Sequence, residues 1–247
     1  TDDGCIECDT EVPSLYLDIQ SALDAGTPEQ DLVVCVGPGT YYENLDFGGN
    51  TIRLVGTAGA AQTVVDGGGS GTVLRIASGE PGARVEGLTL TNGAAQRGGG
   101  VFIDFGAQVE MIGVHITGNT AELQGGGIDL RDGAPSSLYL ADSVISENVV
   151  TSAVGTAGGG MRIEESSTAE LVNVVIRDNE VDHNGGGVWT AAGFSAVGLV
   201  LSGNTAGDMG GGVYATGGTI YIVDLELSGN ESSNSGGGMV LNNSADV

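Results

Sequence analysis

Lysine is missing from the 247 residues, histidine occurs twice, and aromatic side chains make up only 4% of the chain. The seven basic groups are therefore all arginine, and they stand against 32 acidic residues for a formal charge of −25. A surface of that sign repels phosphate backbones and anionic headgroups, which excludes nucleic acid and membrane surfaces as partners. No apolar run approaches the roughly 18 residues that a bilayer-spanning helix needs, so no membrane insertion of this segment is expected, and no signal peptide is visible.

Cysteine is scarce too. Cys5, Cys8 and Cys35 all fall in the first segment, and disulfides persist in oxidising compartments. One of Cys5 and Cys8 is expected to bridge to Cys35, with Cys8 the preferred partner and one thiol left over. Reading Cys5-Ile6-Glu7-Cys8 as a redox pair or half a zinc site fails for want of a second ligand pair. The chain also begins at Thr1 and not at Met. A processed, exported protein, extracellular or on a bacterial cell surface, fits both observations.

What is abundant is glycine, 46 residues of it, beside 40% hydrophobic residues. Charge and glycine alone would suit a disordered chain, but the apolar residues are in register. Triple glycines start at Gly98, Gly125, Gly158, Gly185, Gly210 and Gly236, a spacing of a few tens of residues that marks a solenoid. After each triplet an alternating strand puts Val101, Ile128, Met161, Val188, Val213 and Met239 at one inward position. A second strand aligns Val109, Leu138, Ala169, Phe194 and Ile220, and a third aligns Ile116, Ile145, Ile176, Leu201 and Leu227.

Between the second and third strands the corner carries Gly113, Asp142, Asn173, Gly198 or Asp224, the types that tolerate a left-handed backbone. The same corner is traced upstream at Gly87 and Gly56. Past the third strand an asparagine recurs at Asn119, Asn148, Asn179, Asn204 and Asn230, which reads as a ladder of stacked amides satisfying buried turn groups. Variable loops should lie between that asparagine and the next triplet.

The reading is therefore all-β: one right-handed parallel β-helix solenoid with three parallel sheets and about seven to eight coils. Residues 1–44 are assigned to an N-terminal cap and the first strands, and 45–247 to the coils. Leu15, Leu17, Ile19, Ala22 and Leu23 mix apolar and polar positions as a short helix does, from about Ser14 to Ala25, and it would shield the open first coil. The sequence ends at Val247, about half a coil after Gly236, without an evident cap. Either further chain or another copy is expected there, in a head-to-tail contact that does not close into a ring.

The stretches Ile19–Ala25, Val33–Val36 and Gly39–Asn44 resemble the opening of pectin-lyase-like right-handed β-helix proteins. Gly-Gly-Gly-Val and Ile-Thr-Gly-Asn in the coils from Gly98 to Asn230 are similar to the repeats of chlamydial-type polymorphic outer membrane proteins. That second resemblance implies surface adhesins and passenger rods. Pectin methylesterases share the Gly39–Asn44 likeness, and Asp104-Phe105-Gly106 resembles part of their catalytic motif, while the arginine-containing segment of their signature is missing.

The outward column beside the first strand reads Phe102, Asp129, Arg162, Trp189, Tyr214, Val240. As a site, Arg162 would pair a uronate while Trp189 and Tyr214 stack on sugar rings; as structure, the same residues are an ion pair and a cation–π contact on a solvated sheet. Asp129 and Asp132 share one coil, with no matching pair on the next, and His115 and His183 lack partners at ligand spacing. No metal or catalytic set is assigned. No cofactor is required, with calcium left as an option at Glu180, Asp182 and Asp208.

The leading expectation is a non-enzymatic secreted or cell-surface rod, a stalk, adhesin or filament subunit, contacting itself, surface glycans or a host surface. The alternative is a polysaccharide-binding protein or a calcium-dependent polysaccharide lyase-like enzyme.

Overall fold

The computed structural model describes residues 7–27, 30–77, 82–131, 133–151 and 157–242. Its strands pair in parallel, each with the equivalent strand one coil away. The strand that follows each glycine triplet belongs to an eight-stranded sheet, running from Leu45–Asp46 to Met239–Leu241, and so counts eight coils. Val101, Ile128, Met161, Val188, Val213 and Met239 are successive register partners in it. All of these except the last are buried completely. Burying a Val, Ile or Met contributes roughly 1.5–3 kcal/mol, so such columns offset the ordering of a glycine-rich backbone.

The sheets divide differently from the expected division. The second and third strands of each coil do not form separate sheets; they join in one bent sheet of fifteen strands, in which Gly193–Ser202 and Thr219–Ser228 run unbroken through the corner. The hydrogen-bond ladder explains this, because the corner residues themselves donate upward: Gly113 N–H to Ala141 O, Asp142 N–H to Val172 O and Asn173 N–H to Val197 O. Each of those residues is left-handed, with φ between 49° and 61°. One residue turns the chain without interrupting the pairing. Gly56 is not left-handed; a Cβ there would lie 2.2 Å from Gly87 O, so close backbone approach is what requires glycine.

The third sheet lies where loops were expected. Of its six short strands, five, among them Thr120–Gln124, Val149–Val150, Glu180–Val181 and Thr205–Ala206, follow the asparagines directly. They enclose a small second core of Ala121, Val150, Ala157, Val181 and Ala206.

Between the two cores runs the asparagine ladder. Asn119 Nδ2 donates to Asn148 Oδ1 at 3.0 Å, Asn148 Nδ2 to Asn179 Oδ1 at 3.0 Å, and the chain continues through Asn204 to Asn230 at 2.9 Å per step. Each Oδ1 also accepts the backbone N–H of the asparagine before it, and each Nδ2 also donates to a strand carbonyl one coil back, as Asn148 does to Ile116 O. The inner amides of Asn148, Asn179 and Asn204 are used fully, which is why these side chains can be buried.

The two ends differ. At the N-terminal end the helix α1 spans Ile19–Leu23, shorter than the expected Ser14–Ala25, with Asp18 as its N-cap. Leu15 and Leu17, which the mixed pattern placed within the helix, precede it and are exposed. Glu43 caps the helix from outside, its two oxygens accepting the N–H groups of Ile19 and Gln20 at 2.8 Å. The Gln20 amide then pairs with both backbone groups of Asp46, the edge strand of the eight-stranded sheet, in place of a missing coil. Cys8 bridges Cys35, holding strand Thr10–Val12 against Leu32–Val36; Cys5 lies outside the described residues. At the other end Leu225, Leu227 and Leu241 are about 40% exposed.

Candidate functional site

The outward column of the eight-stranded sheet assembles as the spacing implies. Phe102, Asp129, Arg162, Trp189, Tyr214 and Val240 are register partners on successive strands. Arg162 donates to Asp129 Oδ1 at 3.0 Å, pairs Glu164, and lies 5.1 Å from the Trp189 ring centroid. One coil back, Arg131 pairs Asp104 and lies over Phe102.

The expectation that this cluster is exposed is wrong. Arg162 is 4% exposed, Trp189 5% and Tyr214 6%, so none presents a face on which a sugar ring could stack. Part of the reason is the glycine triplets: the first glycine of each folds back over the side chain four residues on, Gly125 over Asp129 and Gly185 over Trp189. Alternation alone distinguishes inward from outward, not covered from open. Burial drives the Asp129 carboxyl above its ordinary value, outweighing the opposing pull of Arg162. Asp129 Oδ2 and Trp189 Nε1 have no hydrogen-bond partner among the described residues.

An open site exists on the fifteen-stranded sheet, where the sequence reading did not look. Its outward positions place Arg53, Arg84, Glu110, Tyr139, Glu170, Ser195 and Tyr221 in one column. Beside Glu110, Tyr139 and Glu170 runs a column of Gln108, Ser137 and Thr168. Together they line a groove of about 470 Å³. Smaller depressions adjoin it, one lined by Ser195 and Tyr221 and the other by Gly82, Arg84 and Arg53. The column from Arg53 to Tyr221 crosses seven strands, so at about 4.8 Å per strand it runs roughly 29 Å along the rod axis. The signal was present in the sequence, since fixing Val109 and Met111 as inward fixes Glu110 as outward.

The charges of the groove are partly spent. Arg53 and Arg84 both pair Glu86, at 2.6 Å, and Arg84 also pairs Glu110 at 3.0 Å. Burial alone would raise the Glu86 carboxyl, but the two guanidiniums hold it below its ordinary value. Glu170 and Tyr221 are exposed.

No group of three His, Cys, Asp or Glu at metal-binding distances occurs among the described residues. Asp182 and Asp208 therefore gain no third carboxylate, and Asp132 lies outside the described residues. His183 sits 3.9 Å from Asp208, and His115 lies on a strand of the other row.

Residues 47–206 match the family model described as "Right handed beta helix region". The chain belongs to the right-handed β-helix family. Two solved structures resemble this β-helix. The pectin methyl esterase of rice weevil is 12% identical, with 87% of this chain and 77% of that one aligned at a TM-score of 0.48. The pectin methylesterase of Aspergillus niger in deglycosylated form is 16% identical, with 93% and 85% aligned at 0.44. No curated protein matches this β-helix, and the likeness to polymorphic outer membrane proteins finds no support.

The expected non-enzymatic character needs correcting. The two solved structures above are enzymes by name, and a missing esterase signature does not make a chain inert. At these identities the likeness carries neither substrate nor residue roles to this chain.

Proposed function

We propose that this β-helix is an exported polysaccharide-binding protein that holds a linear glycan along the groove of its fifteen-stranded sheet. One observation carries the reading. A groove follows the rod axis, floored by Glu110, Tyr139, Glu170 and Ser195 with Tyr221 just beyond, and flanked by Gln108, Ser137 and Thr168. Tyrosine faces stack on sugar rings, while hydroxyl and amide side chains exchange hydrogen bonds with sugar hydroxyls. A new polar partner is presented at every strand spacing, so a polymer of regular repeat meets a regular wall.

A peptide is a poorer occupant. Extended peptides bind by adding to a free sheet edge, and the strands under the groove from Ala83–Glu86 to Gly193–Ser202 are already paired on both sides, Thr219–Ser228 alone keeping a free edge. The Cys8–Cys35 bridge fits an oxidising compartment, and an extracellular or cell-surface location follows from it within this proposal. A stalk or adhesin that reads glycans would use the same channel.

The test is a calorimetric titration with neutral, anionic and amine-bearing oligosaccharides, with and without Tyr139→Ala. Binding weakened about tenfold by the substitution, the scale of a lost aromatic contact, supports the reading. Absence of binding across the panel rejects it. Mass spectrometry of the recovered oligosaccharides tells a binding module from an enzyme.

A further inference from the structure

We infer that the groove selects glycans carrying free amino groups over neutral chains and over uronates. The inference rests on the glycan reading above and names the chemistry of its occupant.

The guanidiniums of the groove are unavailable to an anionic ligand. Arg53 and Arg84 converge on Glu86 at 2.6 Å, and Arg84 reaches Glu110 at 3.0 Å. A uronate chain would have to displace a carboxylate already bound in place. Further along the channel no arginine enters its floor, and the side chains there are Tyr139, Glu170, Ser195 and Tyr221.

Glu170 is the odd member of this floor. It is exposed, and among the described residues no cation pairs it. It directly neighbours Tyr139, which has Glu110 on its other side. A sugar ring stacked on Tyr139 therefore has a carboxylate one strand spacing away, about 4.8 Å, in each direction along the polymer, Glu110 already paired with Arg84 and Glu170 open to the ligand. An ammonium on that sugar or its neighbour meets a charge-assisted acceptor at Glu170 and the electron-rich tyrosine face together. A neutral hydroxyl gains less from the same groups, and a ligand carboxylate is repelled by them. The net charge of −25 adds a long-range field of the same preference.

The experiment compares three oligosaccharides of equal length and linkage by calorimetry: a glucose oligomer, a fully de-N-acetylated glucosamine oligomer and a glucuronic acid oligomer. The glucosamine oligomer should bind about tenfold more tightly than the glucose oligomer at low salt, and the advantage should shrink at high salt as charges are screened. Glu170→Gln should remove about threefold of that advantage, read as the ratio of the two affinities, the scale of one exposed charge pair. Glu231→Gln, on the third sheet away from the groove, should leave the advantage intact; equal losses from both variants would trace it to net charge alone and overturn the assignment. Parity between the glucosamine and glucose oligomers, or preference for the uronate, overturns amine selection while Tyr139-dependent binding keeps the groove. If none of the three binds, both readings fall together. Thermal unfolding of each variant verifies that the coil stack is intact.

Discussion

Two columns of polar side chains are buried in this β-helix, and they are built on opposite principles. The asparagine ladder repeats one residue type, and each amide finds its acceptor and donor in the next coil. The column through Asp129, Arg162 and Trp189 changes type at every coil, and it leaves Asp129 Oδ2 and Trp189 Nε1 without partners among the described residues. A repeat can satisfy buried polar groups by copying them. A column of single residues depends on each individual match, and any mismatch is stored as an unsatisfied group.

The largest effect should come from breaking the ladder in the middle. Asn148→Ala strands the N–H groups of Asn119 and the carbonyl of Ile116 in a dry interior. A loss of about 4 kcal/mol in urea denaturation is expected, from several buried groups at roughly 1–3 kcal/mol each. Asn230→Ala removes the same residue type at the open end, where Asn230 itself is half-buried and water can replace it beside Asn204, and should cost about 1 kcal/mol. Equal losses at the two positions would show that burial is not what gives the ladder its worth.

The heterogeneous column comes next. Arg162→Met leaves Asp129 and Glu164 without their shared guanidinium and should destabilise by about 3 kcal/mol. Adding Asp129→Asn to that variant should recover part of the loss, because one buried charge no longer lacks a counterion. A double variant no more stable than Arg162→Met would show that the pair is not coupled as the 3.0 Å contact implies.

How far the sequence carried the argument follows from the same contrast. Features repeated from coil to coil were legible: the inward column from Val101 to Met239, the left-handed corner from Gly87 onward and the asparagines, because one error in register would have spoiled all of them at once. The bridge from Cys8 to Cys35 was legible as a choice between two partners. Features that occur once were not. Alternation put Arg162, Trp189 and Tyr214 on the outside, where they are, but said nothing of the backbone folded over them. The strands after the asparagines are too short, two residues at Val149–Val150 and Glu180–Val181, for a period to declare itself. The groove column was readable in principle from Val109 and Met111, yet Glu110, Tyr139 and Glu170 share no residue type, and dissimilar residues do not announce a column.

The smallest effect separates the two columns by pH. Amides do not titrate, so the ladder contributes equally at every pH. Asp129 does titrate, and burial holds its carboxyl above the ordinary 3.8. The folded chain therefore keeps that proton more tightly than the unfolded chain does. The stabilisation this brings is complete below about pH 3.8 and is lost as pH rises through the elevated value, above which the buried carboxylate is simply tolerated beside Arg162. Thermal unfolding of the native protein and of Asp129→Asn, compared from acid to neutral pH, should show the native protein losing ground to the variant across that window and running parallel above it. A native protein that instead gained on the variant as pH rose would mean that Arg162 holds Asp129 ionised in the folded chain, and that this column is as complete as the ladder.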